Sequence, residues 1–463
     1  MLNTIILAAG ESTRMQSKYS KVVHKVAGSP VIDWVVSAAE QLSEGKICTV
    51  VSPGADAIRE ILGDRCEFAI QEQRLGTGHA AMQAEDKLIE PTTLVLNGDA
   101  PLITAETLKK AYEHHKNHGC MVTVLTAKIK YPFGYGRIIR NGNDNIKKIV
   151  EERDATAEEK EIREVNSGFY FFDTEFLKSL KTKIKSHNNQ GEFYLTDSIE
   201  IALGEGLEVC PFIVEDEKEI LGINDRRHLA HAEKILRKRI VQKHMERGVT
   251  FIDPHAAYIG RDVKIGMDTV IYPNTILEGS TTIGNDCIIY GGRIADSQIG
   301  NNCVAENSII LGAKFGDNAT IGPFSYVRPG SVFADKTKIG AFAETKNANI
   351  GYGTKIPHLS YVGDIDVGER VNFGCGSIVA NYDGKNKHRS RVGNDVFIGS
   401  NVNLISPVEI GDNAFIAAGT TVTDNVPKRA LCIGRARQTN KENWSPPASE
   451  PQPYSIKVKA KSN

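Results

Sequence analysis

A run of small and basic residues near the start of the chain has the composition of a phosphate-binding loop. The segment Leu7-Ala-Ala-Gly-Glu-Ser-Thr-Arg-Met15 follows a short apolar run, and Lys21 comes shortly after it. Small residues after a strand let backbone amides approach a phosphate closely, and Arg14 and Lys21 add positive charge that suits a triphosphate. The spacing fits neither the GxGxxG nor the Walker pattern. The residues therefore predict a phosphate site of another type.

A second candidate position is Asp99, in the segment Asn97-Gly-Asp99. It follows an apolar run that reads as a strand, so its carboxylate is expected at a strand end. A carboxylate there can hold Mg²⁺ together with phosphate oxygens and waters.

Polar side chains also interrupt a regular repeat in the second half of the chain. They are Arg328, Lys346, His358 and Tyr361, followed by Asn372 and an insertion over 381–387. Histidine can accept a proton near neutral pH, and fixed Arg or Lys side chains can hold a phosphate. Because insertions in solenoids gather on a functional face, these residues predict a second site.

The elements that must position the first group are alternating strands and helices over residues 1–226. Apolar runs predict buried strands at 4–8, 47–51, 93–97 and 121–125, and helical spacing covers 30–43, 54–62, 78–88 and 104–118. This alternation predicts an α/β fold with a parallel, doubly wound sheet. Ligands of such sheets bind beyond the carboxyl ends of the strands.

The second group lies in a repeat that runs from about Phe251 to Arg437. An aliphatic or aromatic residue followed by Gly recurs with hexapeptide spacing, as at Gly260 and Gly266, or Gly393 and Gly399. This period predicts a left-handed parallel β-helix, in which the apolar residue points inward and Gly occupies a crowded turn.

Between these parts, residues 225–248 have a basic helical pattern with one apolar face, which predicts a solvated connecting helix. After Arg437 the period is lost, and the Pro-rich end predicts an irregular tail. We therefore predict four segments, which are an α/β domain at 1–226, a helical linker at 227–249, a β-helix at 250–437 and a tail at 438–463.

The composition narrows the class of protein. Lys and Arg total 56 and Asp and Glu total 57, so the net charge of −1 does not favour a nucleic-acid binder. The eight cysteines form no CxxC pair, so reduced thiols are expected rather than a zinc site or a dense disulfide framework. We expect neither a signal peptide nor a membrane-spanning helix, and hence a cytoplasmic protein.

The motifs of the first half resemble those of sugar-1-phosphate nucleotidyltransferases, whose loop signature is LAAGxGTRM…PK. The resemblance implies Mg²⁺ held by Asp99 and Asn224, catalytic roles for Arg14 and Lys21, and Gln71 on the edge of a uracil base. It implies that UTP or the UDP-sugar contacts Leu7, Ala8, Ala9, Gly10, Lys21, Gln71, Gly76, Thr77, Asn97, Gly98, Asp99, Gly136, Glu151, Asn166 and Asn224.

Residues 1 to about 440 resemble the family of bifunctional N-acetylglucosamine-1-phosphate uridylyltransferases and glucosamine-1-phosphate N-acetyltransferases. The family makes UDP-N-acetylglucosamine for bacterial cell-wall and envelope polymers. The resemblance implies that His358 is the base of acetyl transfer, and that glucosamine-1-phosphate contacts Arg328, Lys346, Tyr361, Asn372 and Lys387. It implies that acetyl-CoA contacts Cys375, Asn381, Tyr382, Ser400, Ala418 and Arg435.

Four positions depart from the family pattern. Ser12 stands where the loop usually has a second Gly, and Ser20 where Pro usually precedes Lys21. Asn97 replaces a Tyr or Ala, and Cys375 replaces an Ala that is smaller than Cys. The departures bear on efficiency rather than on reaction type.

The resemblance implies an enzyme that acetylates glucosamine-1-phosphate from acetyl-CoA and then transfers UMP from UTP, releasing pyrophosphate. It also implies a homotrimer that binds small molecules only. Two alternatives remain. One is a nucleotidyltransferase whose β-helix is a structural or regulatory module, and the other is a non-catalytic assembly subunit.

Overall fold

A computed structural model describes residues 2–42, 45–142, 145–186 and 191–445 of the chain. The chain divides into two compact units, Met1–Gly330 and Ser331–Asn463. Residues 446–463 of the predicted tail lie outside the described residues. Within its described part, residues 438–445, no helix or strand forms.

The first unit begins with an α/β region whose strands run close to the predicted apolar segments. Predicted strands 4–8, 47–51, 93–97 and 121–125 correspond to β1, β4, β6 and β7. The strands are β1 Leu2–Leu7, β2 Lys25–Val26, β3 Ser29–Pro30, β4 Ile47–Val51, β5 Glu67–Ile70, β6 Thr92–Asn97, β7 Val122–Lys128, β8 Arg137–Arg140, β9 Ile146–Val150, β10 Glu164–Asp173 and β11 Val209–Ile213.

Helices cover the faces of this sheet. The predicted helix at 78–88 is shorter than expected, because α3 ends at Met82 and a separate 3₁₀ turn forms at Glu85–Lys87. The helices are α1 Val31–Glu40, α2 Asp56–Leu62, α3 Thr77–Met82, α4 Ala105–His118, α5 Ala157–Lys160, α6 Thr174–Lys183, α7 Asp197–Gly204 and α8 Arg226–Met245.

The strand order of the sheet is β11-β7-β10-β6-β1-β4-β5, with the β8–β9 hairpin attached to β10. The doubly wound α/β class is confirmed, but the sheet is not wholly parallel, because β10 pairs antiparallel to both β6 and β7. β10 also pairs antiparallel with β8, the first strand of the hairpin that precedes it in the chain. In the centre, Leu7 of β1 is paired with Asn97 of β6, so the loops that follow these two strands start side by side.

Helix α8 occupies the predicted linker. The Asp225 side chain caps its first turn by accepting hydrogen bonds from the backbone N–H groups of Arg227 and His228. Its apolar face is buried through Ala232, Leu236 and Val241. The chain leaves the helix at Gly248, whose φ is 88°.

The first unit also contains the start of the β-helix. Each strand pairs in parallel with the third strand after it, so three strands form one coil. The buried column Ile271, Ile289, Ala305 and Ile321 shows this stacking. The strands are β12 Thr250–Phe251, β13 Tyr258–Ile259, β14 Lys264–Ile265, β15 Val270–Ile271, β16 Thr275–Glu278, β17 Thr282–Ile283, β18 Ile288–Tyr290, β19 Gly292–Ala295, β20 Gln298–Ile299, β21 Val304–Glu306, β22 Ile309–Leu311, β23 Lys314–Phe315, β24 Thr320–Ile321 and β25 Tyr326–Val327.

The second unit has the same architecture, with one longer coil. Asn372 pairs with Phe397 across the 381–387 loop, whereas Phe397 pairs with Phe415 on the following coil, so the predicted protrusion is present. The strands are β26 Val332–Phe333, β27 Lys338–Ala341, β28 Glu344–Ile350, β29 Lys355–His358, β30 Tyr361–Val367, β31 Asn372–Phe373, β32 Ile378–Ala380, β33 Ser390–Val392, β34 Phe397–Ile398, β35 Asn403–Ile405, β36 Glu409–Ile410, β37 Phe415–Ile416, β38 Thr421–Val422 and β39 Leu431–Cys432.

The repeated Gly is needed for close stacking of the coils. A Cβ built on Gly284 would lie 2.6 Å from the carbonyl carbon and oxygen of Gly300 on the next coil. The left-handed backbone positions fall instead on Asn and Asp residues two positions after these Gly residues, such as Asp286 and Asn302.

The expectation that all cysteines are reduced is wrong for one pair. Cys120 and Cys210 form a disulfide although they are separated by 90 positions in the sequence. Cys120 lies two positions before the first residue of β7, and Cys210 lies in the neighbouring strand β11. Parallel pairing of these strands brings the two side chains together, and no local spacing reveals it.

No helix among the described residues combines the length and the apolar character needed to cross a membrane.

Candidate active sites

The phosphate-binding loop leaves the end of β1 and folds back on itself. Ser12 has a left-handed backbone with a φ of 61°, which is the conformation that a Gly at this position adopts without strain. Its Oγ accepts a hydrogen bond of 2.8 Å from the backbone N–H of Lys21. A short 3₁₀ turn at Thr13–Met15 and another at Lys21–Val23 then place Arg14 and Lys21 beside the ends of the central strands.

Four predicted residues converge at one point. The Lys21 ammonium forms an ion pair with the Asp99 carboxylate and donates to Asn224 Oδ1 at 3.1 Å. Arg14 Nη2 donates to the same Asn224 oxygen at 2.9 Å. The backbone supports this contact, since the Ile223 N–H donates to the Asp99 carbonyl at 2.8 Å. A carboxylate oxygen and an amide oxygen thus face one cation, and this is the type of ligand pair that suits Mg²⁺.

A cavity of about 520 Å³ opens next to this point. Its volume is in the range of small-molecule binding sites. Its lining includes ten residues of the predicted nucleotide site, which are Leu7, Ala8, Ala9, Gly10, Lys21, Gln71, Gly76, Thr77, Asn97 and Asp99.

Gln71 and Gly76 form one wall of the cavity. The Gln71 side chain is buried, and its amide contacts the Gly76 carbonyl at 3.2 Å and His79 Nδ1 at 3.0 Å. Gly76 has a φ of 109°, and a Cβ there would lie 2.5 Å from the Phe193 carbonyl oxygen. A side chain at position 76 would therefore clash with the backbone of Phe193.

The predicted sugar-binding residues form a separate cluster. A Cβ built on Gly136 would lie 3.5 Å from both carboxylate oxygens of Glu151, and the Asn166 N–H donates to the Gly136 carbonyl at 2.9 Å. Asn166 Nδ2 also donates to the Tyr170 hydroxyl at 2.6 Å. Gly136, Glu151 and Asn166 are therefore neighbours, but they do not belong to the lining of the cavity.

Burial raises the pKa of Glu151, and the carboxylates of Asp154, Asp197 and Glu192 act in the same direction. The Thr196 hydroxyl donates to Glu151 Oε1 at 3.3 Å and partly offsets the shift. The cluster therefore concentrates negative charge around one partly buried carboxyl group.

Several residues of the cavity wall were not predicted from the sequence. Arg74 lines the cavity, donates to the Ala9 carbonyl at 3.1 Å and pairs with Glu11 at 2.7 Å. Glu11 and Glu192 line it as well. The signal for Arg74 is its position directly before Leu75-Gly-Thr-Gly78, where a third cation can reach the loop.

In the second unit, Tyr361 and Asn381 form the core of the other predicted site. Asn381 is buried, and its amide nitrogen donates to the Tyr361 hydroxyl at 3.3 Å and to Asp364 Oδ2 at 2.5 Å. Asn347 donates to the other Asp364 oxygen at 2.7 Å. Asp364 was not predicted. The sequence feature that could have indicated it is a polar residue directly after Val362-Gly363. In the structure this residue has a left-handed backbone with a φ of 47°.

The remaining predicted residues lie around this group. Lys346 pairs with Gly363 in the β28–β30 ladder, next to the pairing of Glu344 with Tyr361. His358 ends β29 with an exposed side chain. Asn372 starts β31, which lies on a different face of the prism from Tyr361. Lys387 is exposed at the base of the 381–387 loop, where it forms a β-bridge with Tyr382.

Four of the predicted acetyl-CoA positions form a column along the solenoid. The carbonyl of Cys375 accepts from the Asn401 N–H at 2.8 Å, and that of Ser400 accepts from the Gly419 N–H at 2.8 Å. A Cβ on Gly419 would lie 3.9 Å from Arg435 Cδ. Cys375, Ser400, Ala418 and Arg435 are all exposed and thus line one edge of successive coils. Arg328 belongs to the first unit, directly after β25.

Known proteins resemble this chain both in the region of the nucleotide site and in the β-helix. Residues 4–163 match the MobA-like NTP transferase domain, and residues 389–424 match the bacterial transferase hexapeptide with six repeats. The chain is 51% identical over 445 residues to the "Bifunctional protein GlmU" of Caldanaerobacter subterraneus subsp. tengcongensis, covering 96% of this chain and 97% of that protein. The proteins of the same name from Thermoanaerobacter pseudethanolicus and Acetivibrio thermocellus are 51% and 48% identical, each over 96% of this chain and 97% of their own length.

The chain belongs to the GlmU family.

The similarity extends over nearly the full length of the GlmU relatives, so it includes both the α/β region and the β-helix. The prediction of a bifunctional enzyme is therefore confirmed, with a nucleotidyltransferase domain and a hexapeptide transferase domain in one chain. The two alternatives, a nucleotidyltransferase whose β-helix is only a structural or regulatory module and a non-catalytic subunit, do not account for GlmU relatives that match over nearly their full length.

Proposed function

We propose that this chain acetylates glucosamine-1-phosphate with acetyl-CoA and transfers UMP from UTP to the resulting N-acetylglucosamine-1-phosphate. The observation that carries the proposal is the convergence of Arg14, Lys21, Asp99 and Asn224 beside a cavity at the carboxyl ends of β1 and β6. A doubly wound sheet binds its ligands at that edge.

In the uridylyl transfer, an oxygen of the sugar phosphate attacks the α-phosphorus of UTP and the bond to pyrophosphate breaks. Arg14 and Lys21 neutralise phosphate charge, and the loop after β1 fixes the nucleotide in line with the attacking oxygen. Asp99 and Asn224 would hold Mg²⁺, which when bound neutralises further phosphate charge. Lys21, which pairs with Asp99 in the structure, would turn to a phosphate oxygen when the nucleotide is bound.

In the acetyl transfer, the sugar amine attacks the thioester carbonyl of acetyl-CoA, and CoA leaves as the thiol. His358 accepts the proton that the amine releases, for which its exposed imidazole is accessible, and the departing thiolate takes up a proton from the protonated base or from solvent. Tyr361, Asn372, Lys346, Lys387 and Arg328 hold the sugar phosphate. The column Cys375, Ser400, Ala418 and Arg435, with Asn381 and Tyr382, contacts acetyl-CoA.

The proposal also covers the domain boundaries, the oligomeric state and the location of the protein. The α/β domain at 1–226, the linker at 227–249, the β-helix at 250–437 and the tail at 438–463 would be the functional divisions. The assembly would be a homotrimer in the cytoplasm, binding small molecules and no nucleic acid. The exposed column along the β-helix supports an acetyl-CoA site shared with a neighbouring subunit.

One assay tests both reactions. The protein is incubated with glucosamine-1-phosphate, acetyl-CoA, UTP and Mg²⁺, and free CoA, pyrophosphate and UDP-N-acetylglucosamine are measured. All three are expected. Free CoA without pyrophosphate, or pyrophosphate from supplied N-acetylglucosamine-1-phosphate without any CoA release, would contradict the bifunctional assignment.

A further inference from the structure

A cluster of one histidine and two cysteines lies at the edge of the α/β region, away from the candidate nucleotide site. Helix α4 ends at His118, and Gly119 reverses the chain with a φ of 62°. Cys120 then leads into β7, and Cys210 lies in β11, the outermost strand of the sheet order. The start of β7 is at the sheet edge opposite to the carboxyl ends that carry Asp99, because β7 runs in the same direction as β6.

The three side chains are close enough to share one cation. Among the described residues, one ligand atom each from His114, Cys120 and Cys210 lies within 4.8 Å of the others. The two Cα atoms of the cysteines are 5.9 Å apart, and both side chains are buried, with exposures of 5% and 6%. The His114 ring makes an edge contact with Phe212, with ring centroids 5.6 Å apart.

We propose that Cys120 and Cys210, when reduced, form with His114 a binding site for a soft divalent cation such as Zn²⁺. Two thiolates and one imidazole are a ligand set that zinc prefers, and three protein ligands leave the fourth position to a solvent molecule. The site joins the last turn of α4 to β11, so a bound cation would fasten the edge strand to the helix.

The disulfide and the cation exclude each other, because coordination uses the sulfur lone pairs of two thiolates. A thiol or phosphine reductant supplies two electrons and two protons are taken up, which converts the disulfide into two thiols. Zn²⁺ binding then releases those two protons as the thiolates form bonds to the metal. The reduced state holds the cation, and the oxidised state holds the covalent bond in its place.

The test measures zinc in the full-length protein. The chain is reduced with a phosphine, incubated with Zn²⁺, desalted under nitrogen and analysed for zinc per chain by mass spectrometry. About one Zn²⁺ per chain is expected, and the amount should fall to background when the same sample is first oxidised. Reduced wild-type protein that retains no zinc would overturn the proposal.

Variants locate the bound cation. Cys120→Ser, Cys210→Ser and His114→Ala should each lose most of the zinc, whereas Cys432→Ser, which changes a free cysteine of the second unit, should retain it. Zinc retained equally in Cys120→Ser and Cys210→Ser would assign it to other residues and refute the site.

A spectroscopic probe covers the case in which a variant does not fold. Co²⁺ added to reduced wild-type protein should give a sulfur-to-cobalt charge-transfer absorption that Zn²⁺ abolishes by competition. Absence of that band would show that no thiolate binds the metal, and would overturn the proposal without any substitution.

Discussion

The Ser12 hydroxyl oxygen accepts a hydrogen bond of 2.8 Å from the backbone N–H of Lys21. The bond ties the turn of the phosphate loop to the lysine that faces Asp99 and Asn224. The two positions at which the loop departs from the family pattern, Ser12 and Ser20, are the residue that accepts this hydrogen bond and the residue directly before its donor. Ser12 adopts the left-handed backbone of the usual Gly, and Ser20 has a φ of −57°, which is close to the angle that Pro would impose. The chain therefore positions Lys21 with a side-chain hydrogen bond in place of a Gly and a Pro.

Replacing Ser12 with Ala should lower kcat/KM of uridylyl transfer by about two- to tenfold, the value of one net hydrogen bond. Acetyl transfer should be unchanged, because the loop serves only the nucleotide site. Both rates are measured on the same preparation. Ser17→Ala is the matched control, since Ser17 in the same loop bonds the backbone of Tyr19 rather than that of Lys21. Equal rates of uridylyl transfer in the Ser12→Ala variant and the wild type would show that this hydrogen bond does not position Lys21.

Adding Ser20→Pro to Ser12→Ala should recover part of the lost activity and raise the melting temperature. Proline fits the observed φ and stabilises a compatible position by about 0.4–1 kcal/mol by restricting the unfolded chain. Calorimetry and the uridylyl assay on the double variant check both effects. A further loss of activity would show that the Ser20 backbone is not compatible with Pro.

Asp99→Ala should abolish pyrophosphate release and leave CoA release intact. The substitution removes the carboxylate that pairs with Lys21, and the loss should be at least about 100-fold because charge stabilisation dominates phosphoryl transfer. Asp86→Ala removes an exposed carboxylate in the same region and serves as the control. Loss of both activities in a folded Asp99→Ala protein would refute two independent sites.

The rate of uridylyl transfer should depend on the protonation of Glu151. This dependence should begin at a higher pH than the pKa of an ordinary glutamate would give. The raised pKa of Glu151 means that it takes up a proton early as the pH falls, so the KM for N-acetylglucosamine-1-phosphate should rise on the acid side. Glu151→Gln should have a higher KM at neutral pH but no acid-side rise. Glu158→Gln, an exposed glutamate, should keep the wild-type profile.

The same shift has a consequence for stability. A carboxyl group whose pKa is higher in the folded state destabilises the fold as the pH rises through that pKa. Glu151→Gln should therefore melt at a higher temperature than wild type near neutral pH, and this gain should disappear in acid. A melting temperature that is lower at neutral pH would contradict the assigned direction.

His358→Ala should lower acetyl transfer by roughly 10²–10⁴-fold, the usual contribution of a positioned general base. The KM for glucosamine-1-phosphate should change little. Uridylyl transfer from supplied N-acetylglucosamine-1-phosphate should be unaffected. His255→Ala, another exposed histidine, is the control. Near-normal acetylation by folded His358→Ala protein would exclude this base and direct attention to Tyr361.

Light scattering should give the mass of a trimer at assay concentration. In the proposed trimer, a neighbouring subunit would cover the exposed column of Cys375, Ser400, Ala418 and Arg435. A monomer that acetylates at the full rate would show that each subunit has a complete acetyl-CoA site.

The strands of the α/β region and the coils of the β-helix were predictable because their signals are local. Runs of successive apolar residues identified β1 and β6, and the hexapeptide spacing identified the solenoid, since each apolar residue and each Gly meets its counterpart one coil later. The end of α3 at Met82 and the antiparallel direction of β10 were not predictable, because they depend on contacts with distant segments. The same holds for Asp364, whose role is visible only once Asn347 and Asn381 donate to it.

By itself the sequence determined the two architectures, the family and the residue types available for chemistry, because repeats, strand patterns and motifs are written over short stretches of chain. Only the tertiary structure decided that Lys21 joins Asp99 to Asn224, that Ser12 holds Lys21, and that Cys120 meets Cys210. These contacts join residues that are far apart in the chain, apart from Ser12 and Lys21, whose bond requires a left-handed turn. They form only when strand pairing fixes which segments are neighbours, and no spacing in the sequence carries that information.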